Sequence, residues 1–264
     1  MLDLNMNIFK LNAKKIFVIG GSGLIGTEIC NQLQSLGARV YNLDVNKNSK
    51  LHPKINFLKF DISKDKFIER KLTSFFKIYG TPNSMINCSY PTKKSWPNSD
   101  FKSVKKKTIN ENINLHLNSY IWIARIFAEQ MKKMKVKGSI IQFSSHYGVI
   151  GQSTEIYRGT NMKENMIYSA IKGGIISHVK QMCAHYGKDG IRVNAICPGG
   201  IKGHVKGKSK TQSEKFLKRY KERTPLKRLA TAEEISPAVA FLASDLSSYI
   251  TGIHLMIDGG WTAT

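Results

Sequence analysis

The stretch KIFVIGGSGLIG, from Lys15 to Gly26, contains the first folding unit that the sequence predicts. Its beginning, Lys15–Ile19, is a short apolar and β-branched run typical of a buried strand. Its end spaces Gly20, Gly23 and Gly26 as Gly-x-x-Gly-x-x-Gly, and a helical pattern follows. Such glycines let the backbone approach a pyrophosphate, which the next helix N-terminus attracts. A glycine triplet can also be an ordinary turn, but the flanking strand and helix favour the phosphate-binding interpretation.

A second predicted strand, Ala38–Leu43, ends at Asp44. An acidic residue about 20 positions beyond a glycine turn suits hydrogen bonds to the ribose hydroxyls of a dinucleotide. Its charge would repel a 2′-phosphate, so NAD is predicted as the cofactor and NADP is the less favoured alternative. Arg39 and Lys47 flank this strand and could accommodate a phosphate. Asp44 could instead be a turn cap.

Further strands and helices alternate along the whole chain. The predicted strands are Ile55–Phe60, Ser84–Cys88, Gly138–Phe143, Ile191–Ile196 and Ile253–Ile257. Helical patterns lie between them, including about Phe101 to Met134, with a break near Asn110, and about Ala232 to Ala243. This alternation predicts a parallel sheet covered on both faces. Without an internal repeat or a linker, residues 1–264 are predicted to be one domain.

A proton-transfer site is predicted from Ser145, Tyr168 and Lys172. Ser145 follows the strand Gly138–Phe143, and Tyr168 and Lys172 lie one turn apart on a predicted helix, hence on one face. An ammonium beside a phenol favours the phenolate and lowers the pKa of the phenol. The serine hydroxyl could hold the oxygen of a substrate alcohol or ketone. No metal is needed for this chemistry.

The Tyr-x-x-x-Lys spacing occurs a second time, in Tyr90–Lys94. Pro91 argues against a helix there, so those two side chains need not converge. Tyr168 and Lys172 could likewise be an ordinary surface pair. Agreement with the other motifs of the chain favours the catalytic interpretation.

Composition and length limit the class of protein. A chain of 264 residues can bury a core without disulfides or metals. The four cysteines are far apart and form no Cys-x-x-Cys pair, which argues for free thiols in a reducing compartment and against zinc. No apolar run reaches membrane-spanning length, and the N-terminus lacks a signal-peptide pattern. A cytoplasmic protein without a membrane segment is predicted.

The net charge of +23 has two interpretations, nucleic-acid binding or a lysine-rich solvated surface. The charge is dispersed and no nucleic-acid-binding motif accompanies it, so no nucleic-acid partner is expected. One segment is denser, because Lys202 to Arg228 holds eleven Lys or Arg and only two acids.

Motifs in all parts of the chain are similar to those of one family. They are the glycine turn Gly20–Gly26, Asp44, Asp61-Ile62, Ser144-Ser145, Tyr168–Lys172, Asn194–Gly200, Ser247–Gly252 and Asp258–Trp261. By these residues the chain resembles the short-chain dehydrogenase/reductase family over essentially its whole length. The resemblance implies a Rossmann-type doubly wound α/β fold with seven parallel strands in the order 3-2-1-4-5-6-7. It also implies an NAD(P)-dependent oxidoreductase that interconverts a secondary alcohol and a ketone, and a homo-oligomer, either a dimer or a tetramer.

The resemblance also implies roles for individual residues. Tyr168 would be the acid/base, Lys172 would hold the nicotinamide ribose, Ser145 would orient the substrate oxygen, and Asn114 would complete a water relay to Lys172. Cofactor contacts are implied for Gly20, Ser22, Gly23, Leu24, Ile25, Gly26, Asp44, Asp61, Ile62, Asn87, Tyr168, Lys172, Pro198, Gly199 and Ile201.

The sequence departs from the family pattern in three places. Ile19 and Leu24 replace a usual Thr and Gly in the glycine turn. Asn87–Tyr90 reads Asn-Cys-Ser-Tyr where Asn-Asn-Ala-Gly is usual. Ser145 and Tyr168 are further apart than usual because of an insertion within Tyr147–Asn165. Residues 157–162 and 168–174 resemble a subgroup encoded with surface-glycan and flagellin-sugar biosynthesis genes.

The basic segment coincides with the family's substrate lid, about residues 201–228. Basic side chains beside flexible glycines in a lid would attract anionic substrates; the residues concerned are Lys206, Lys208, Lys210, Lys215, Lys218 and Arg219. They could equally be solvated surface charges. A phosphorylated or nucleotide-linked sugar is therefore the favoured small-molecule substrate. The alternatives are a neutral ketone or 3-oxoacyl substrate, or a non-catalytic NAD-binding or nucleic-acid-binding module.

Overall fold

In the computed structural model, which describes residues 11–91, 99–203 and 212–264, seven parallel strands form one sheet in the order β3-β2-β1-β4-β5-β6-β7. The strands are β1 Lys15–Ile19, β2 Arg39–Asp44, β3 Asn56–Lys59, β4 Ser84–Asn87, β5 Ser139–Phe143, β6 Arg192–Pro198 and β7 His254–Ile257. The predicted fold class and strand order are confirmed. Strand ends differ from the predicted ones by at most two residues, which is the usual uncertainty of such boundaries.

Helices cover both faces of this sheet. They are α1 Leu24–Ser35, α2 Asp65–Tyr79, α3 Lys106–Ile113, α4 Ser119–Lys133, α5 Tyr168–Tyr186, α6 Glu214–Arg223 and α7 Ser236–Ala243. Alternate residues of β1 point to opposite faces. Phe17 packs in the core with α2, α4 and α5, whereas Ile16 and Val18 pack with α1 and α7. A central strand is therefore apolar on both faces, which explains its uninterrupted hydrophobic sequence.

Two helix boundaries differ from their predictions. The long helical region begins at Lys106, and a π-helical segment, Asn114–Asn118, separates α3 from α4. The predicted break near Asn110 is wrong, because Asn110 lies within α3 and the irregularity is the π-helical segment that begins at Asn114. The last helix begins at Ser236, after a turn at residues 232–235. Pro237 occupies its first turn, where a proline loses no hydrogen bond.

The insertion within Tyr147–Asn165 packs on the basic segment that follows β6. It contains a short helical turn at Thr154–Tyr157, whose Ile156 is buried against Phe216 and Tyr220 of α6. Helix α6 was not predicted, because only these two of its residues are buried and the rest are mainly charged. Lys206, Lys208 and Lys210 lie outside the described residues.

Three properties of the described ranges bear on the class of protein. None of their helices is both long enough and apolar enough to cross a membrane. They contain no cluster of three or more His, Cys, Asp or Glu side chains suited to a metal ion. The four cysteines are free thiols.

Candidate active site

A cavity of about 750 Å³ lies at the carboxyl ends of β1, β2, β4, β5 and β6. The strand order reverses between β1 and β4, and ligands of open α/β sheets bind at such a switch point. Most residues with a predicted cofactor contact line it: Gly20, Ser22, Gly23, Leu24, Ile25, Gly26, Asp44, Asp61, Ile62, Tyr168, Lys172, Pro198, Gly199 and Ile201. The structure brings them together; their contacts with a cofactor stay predictions.

The glycine turn is built by close backbone contacts. Gly20 has a positive φ of 81°, and a Cβ atom there would lie 2.5 Å from the Cα of Ser89. A Cβ atom on Gly26 would overlap the carbonyl oxygen of Gly20. These glycines therefore let α1 begin directly against the end of β1. No side chain caps α1 at Gly23, so its first amides are available to an anion in the cavity.

Asp44 makes the turn contacts that its sequence position allowed, and its contact with a ribose stays a prediction. Its carboxylate accepts hydrogen bonds from the amides of Ser22, at 3.0 Å, and Asn46, at 3.3 Å. It thus ties the end of β2 to the glycine turn. The residue is partly exposed and borders the cavity. A ribose placed beside the turn would lie next to this carboxylate. Its negative charge would repel a 2′-phosphate on that ribose.

Ser145, Tyr168 and Lys172 meet at the floor of the cavity. Burial raises the pKa of Tyr168, and a hydrogen bond with the Ser145 side chain opposes that rise. Lys172 is 5% exposed and donates a hydrogen bond of 2.9 Å to the carbonyl of Phe143. Burial lowers the pKa of Lys172 to about 8. Ser145 and Tyr168 are thus hydrogen-bonded to one another, and the Lys172 Nζ atom is held nearby by the Phe143 carbonyl.

The expected effect of Lys172 on Tyr168 needs correction. The sequence predicted that the ammonium lowers the pKa of the phenol. In the structure the pKa of Tyr168 is raised, because the loss of hydration outweighs the hydrogen bond with Ser145. The Lys172 Nζ atom lies 5.9 Å from the centre of the Tyr168 ring.

Two further aromatic rings surround the Lys172 ammonium. Its Nζ atom lies 5.5 Å from the ring centre of Tyr120 and 5.9 Å from that of Tyr90. Tyr120 is held by a hydrogen bond of 2.6 Å from its hydroxyl to the Ser89 carbonyl. Rings around a buried cation stabilise its charge, which partly offsets the cost of burial. Sequence reasoning missed both tyrosines; the signal for Tyr90 was its place just after β4.

Two predicted residues do not line the cavity. Asn114 is exposed, and its side chain accepts a hydrogen bond from Asn118. Its carbonyl accepts from the Ser119 amide within the π-helical segment. The wide π turn directs Leu115 and Tyr120 into the cavity instead, so the structure does not bring the Asn114 side chain to Lys172.

Asn87 is fully buried behind the cavity wall. Its side-chain oxygen accepts hydrogen bonds from the Ser89 hydroxyl, at 2.6 Å, and from the Ser89 amide. It shapes the turn after β4, whereas Cys88, Ser89 and Tyr90 reach the cavity. A direct cofactor contact from the Asn87 side chain is therefore not supported.

Known proteins resemble the chain along nearly all of its length. Residues 22–262 match the family model described as enoyl-(acyl carrier protein) reductase. The post-translational flagellin modification protein A of Campylobacter coli is 30% identical over 95% of this chain and 99% of its own. The 3-oxoacyl-(acyl-carrier-protein) reductase of Chlamydia muridarum is 32% identical over 97% of this chain and 99% of its own.

A solved structure of a related protein has the same fold as this chain. The crystal structure of a short chain dehydrogenase from Leptospira borgpetersenii, with bound NAD+, superposes with a TM-score of 0.86. It is 31% identical in sequence and the match covers 99% of this chain and 97% of that one. Fold, motifs, cavity and relatives agree, and the chain belongs to the short-chain dehydrogenase/reductase family of oxidoreductases.

Proposed function

We propose that the protein is an NAD-dependent oxidoreductase that interconverts a secondary alcohol and a ketone. One observation carries this proposal: Ser145, Tyr168 and Lys172 share a cavity with the glycine turn and Asp44. The uncapped start of α1 and the glycines without room for a Cβ fit a pyrophosphate, and Asp44 fits a free ribose hydroxyl. The NAD+ bound to the Leptospira relative supports this cofactor.

The residues of the chain would then handle the proton and the substrate oxygen. NAD, when bound, supplies or accepts the hydride. In oxidation Tyr168 removes the hydroxyl proton, and in reduction it returns a proton to the carbonyl oxygen. Ser145 donates a hydrogen bond that holds this oxygen beside the phenol. Lys172, fixed by the Phe143 carbonyl, places a positive charge near the phenolate that forms.

The favoured substrate is a phosphorylated or nucleotide-linked sugar. The flagellin modification protein of Campylobacter coli supports this class by its name, and the net charge of +23 favours anions. The Chlamydia muridarum relative supports a second candidate, a 3-oxoacyl thioester. Tyr147, at the boundary of the insertion, lies beside Tyr168, and the insertion in turn packs on α6. We therefore expect this region to contribute to the choice between the candidates.

A cofactor-absorbance screen tests the reaction and the substrate class together. Purified protein would be assayed with NAD and NADH against nucleotide-linked sugars, phosphorylated sugars, free sugars, cyclic alcohols and ketones, and 3-oxoacyl thioesters. We expect turnover with NAD and the highest kcat/KM with a charged sugar. Turnover of 3-oxoacyl thioesters alone would overturn the sugar assignment. Absence of all NAD-linked turnover in folded protein would overturn the reaction itself.

A homo-oligomer is proposed from exposed apolar side chains. Trp122 on α4 is 39% exposed, and Tyr249, just before β7, is fully exposed. Large apolar groups on a surface favour contact with another chain. Light scattering should give a mass of two or four chains, and a monomeric mass at assay concentration would contradict this proposal.

A further inference from the structure

Tyr90 brings an aromatic ring into the cavity at a position where the family pattern usually has glycine. It lies in the turn that follows β4, it is partly exposed, and it lines the cavity. Its ring centre lies 6.4 Å from that of Tyr168, edge to face, and 5.2 Å from that of His116. A glycine would make none of these contacts, so the ring is a feature that this chain adds to the family's active site.

The Tyr90 ring completes an aromatic cage around the Lys172 amine. The Nζ atom lies 5.9 Å from the ring centre of Tyr90, 5.5 Å from that of Tyr120 and 5.9 Å from that of Tyr168. All three distances are within the range at which ring faces attract a cation. Tyr120 is fully buried and Tyr168 is the proposed acid/base. Tyr90 is therefore the member of the cage that can be changed without loss of a core side chain or of the acid/base.

The ring acts on the amine in two opposite ways. As a cover it keeps water away from Lys172, which is 5% exposed, and the loss of hydration disfavours the charged form. Burial is also the first cause of the lowered pKa of Lys172, about 8. As a π system the ring attracts the ammonium and favours the charged form. An apolar cover of similar size would have only the first effect.

Other groups that ionise lie around the cage on several elements. They are Cys88, His116, Tyr120, Tyr168 and Cys197. Burial raises the pKa of Cys88 to about 12 and that of Cys197 to about 11, and it raises the pKa of both tyrosines. The cysteines and tyrosines are therefore neutral where Lys172 titrates, and His116 is common to all variants of Tyr90.

We propose that Tyr90 is a positioning residue, whose ring keeps the Lys172 side chain charged while it shields that side chain from water beside Tyr168. The inference rests on the proposed alcohol–ketone chemistry and deepens it, because the amine stabilises a phenolate only while it holds its proton. Tyr90 thereby sets the pH range in which Lys172 can assist Tyr168.

Replacement of Tyr90 by three kinds of side chain tests this role. Tyr90→Leu keeps an apolar cover without a π face, so the pKa of Lys172 should fall below 8, by about 0.5 to 1 pH unit. Tyr90→Ala admits water to the amine, and because burial is the larger effect the pKa should rise toward the ordinary value of 10.5. Tyr90→Phe keeps the ring, so Lys172 should titrate as in wild type.

NMR of isotope-labelled lysine side chains measures the titration across neutral and alkaline pH. The Lys172 signal is the one that Lys172→Met lacks. Tyr79→Leu is the matched control, because Tyr79 is also partly buried and its ring centre lies 5.1 Å from that of Tyr41, in the core formed with α2. It should leave the titration of Lys172 unchanged.

The direction of each change separates the cage from simple filling of space. A fall in Tyr90→Leu, a rise in Tyr90→Ala and a wild-type value in Tyr90→Phe together support the inference. An unchanged or raised pKa in Tyr90→Leu, no rise in Tyr90→Ala, or an equal fall in Tyr90→Phe would overturn it. Tyr90→Met, whose flexible apolar side chain fits irregular spaces, replaces Tyr90→Leu if that variant does not fold.

The titration needs neither substrate nor turnover, so failure of the proposed reaction leaves this test intact. Where wild type is active, the alkaline limb of the kcat/KM profile should move in the same direction as the pKa of Lys172 in each variant. An active wild type, with the same Lys172 titration in all variants, would overturn the inference and leave the proposed function standing.

Discussion

The two ends of the active-site cavity are built in different ways. At the cofactor end, main-chain atoms form the wall: glycines without room for a Cβ, the start of α1 and the Ser22 amide held by Asp44. At the other end, side chains contribute most of it, from the turns after β4 and β5 and from two helices: Tyr90, Tyr120, Ser144, Ser145, Tyr168 and Lys172. Backbone shape suits a diphosphate that is common to many reactions. Side chains can be changed to suit one substrate.

The proposed catalytic residues lie between the two ends, and their replacement should have the greatest effect. Tyr168→Phe removes the proton donor and acceptor but keeps the ring that packs against Tyr90 and Tyr147. We expect turnover to fall roughly 10²- to 10⁴-fold, the usual contribution of a positioned acid/base. NAD binding, measured by calorimetry, should persist, since the cofactor end is intact. Near-normal turnover in a folded variant would contradict the mechanism.

A pH series tests the protonation state of Lys172, which lies between the two ends. The folded pKa of Lys172 is about 8, against 10.5 for an ordinary lysine, so between these pH values the unfolded chain holds a proton that the folded protein has released. Folding stability attributable to Lys172 therefore rises with pH in this window, by up to about 3 kcal/mol. Stability rises because burial favours the neutral form of Lys172, which the folded protein reaches at a lower pH than the unfolded chain.

The measurement compares the unfolding free energy of wild type and Lys172→Met in urea between pH 8 and 10.5. Wild type should gain on the variant as pH rises. Parallel profiles would mean that Lys172 keeps an ordinary pKa in the folded protein. Titrating groups that do not interact with Lys172 are common to both proteins and cancel in the difference; Tyr168 and Cys197 are the exceptions, since the Lys172 charge acts on both.

Addition of one methyl group tests whether the cofactor end depends on backbone contact. Gly26→Ala would push a Cβ atom into the Gly20 carbonyl oxygen and should destabilise the fold by about 1–3 kcal/mol and weaken NAD binding. Gly151→Ala is the matched control, because a Cβ atom there would have no neighbour within 4 Å. Thermal unfolding and calorimetry measure both effects. Equal stability of the two variants would show that the turn has room to adjust.

Cofactor choice should depend on one side chain in this backbone wall. Asp44→Ala removes the charge that would oppose a 2′-phosphate, and the preference for NAD over NADP in kcat/KM should fall roughly 10-fold. Asp44→Asn keeps an acceptor for the Ser22 amide and separates the loss of charge from the loss of the turn contact. Equal use of both cofactors by wild type would show that Asp44 does not decide the preference.

The sequence predicted correctly those features that one short segment forms by itself. The strand order followed from alternating strands and helices together with the family resemblance, because each βαβ unit folds from neighbouring residues. Gly20–Gly26 and the Tyr168–Lys172 pair are equally local, and both lie in the cavity as expected. The role of Asn114 was less accessible, because its direction depends on a π turn that the apolar pattern does not reveal.

The amino-acid order by itself therefore determined the doubly wound sheet, the glycine turn, the acidic end of β2 and the spacing of Tyr168 and Lys172. Only the tertiary structure decided that Tyr90 and Tyr120 surround Lys172 and that Tyr147 lies beside Tyr168. The physical reason is distance along the chain. A local motif specifies its own backbone, whereas contacts between distant segments arise only when the packed helices and strands bring their side chains together.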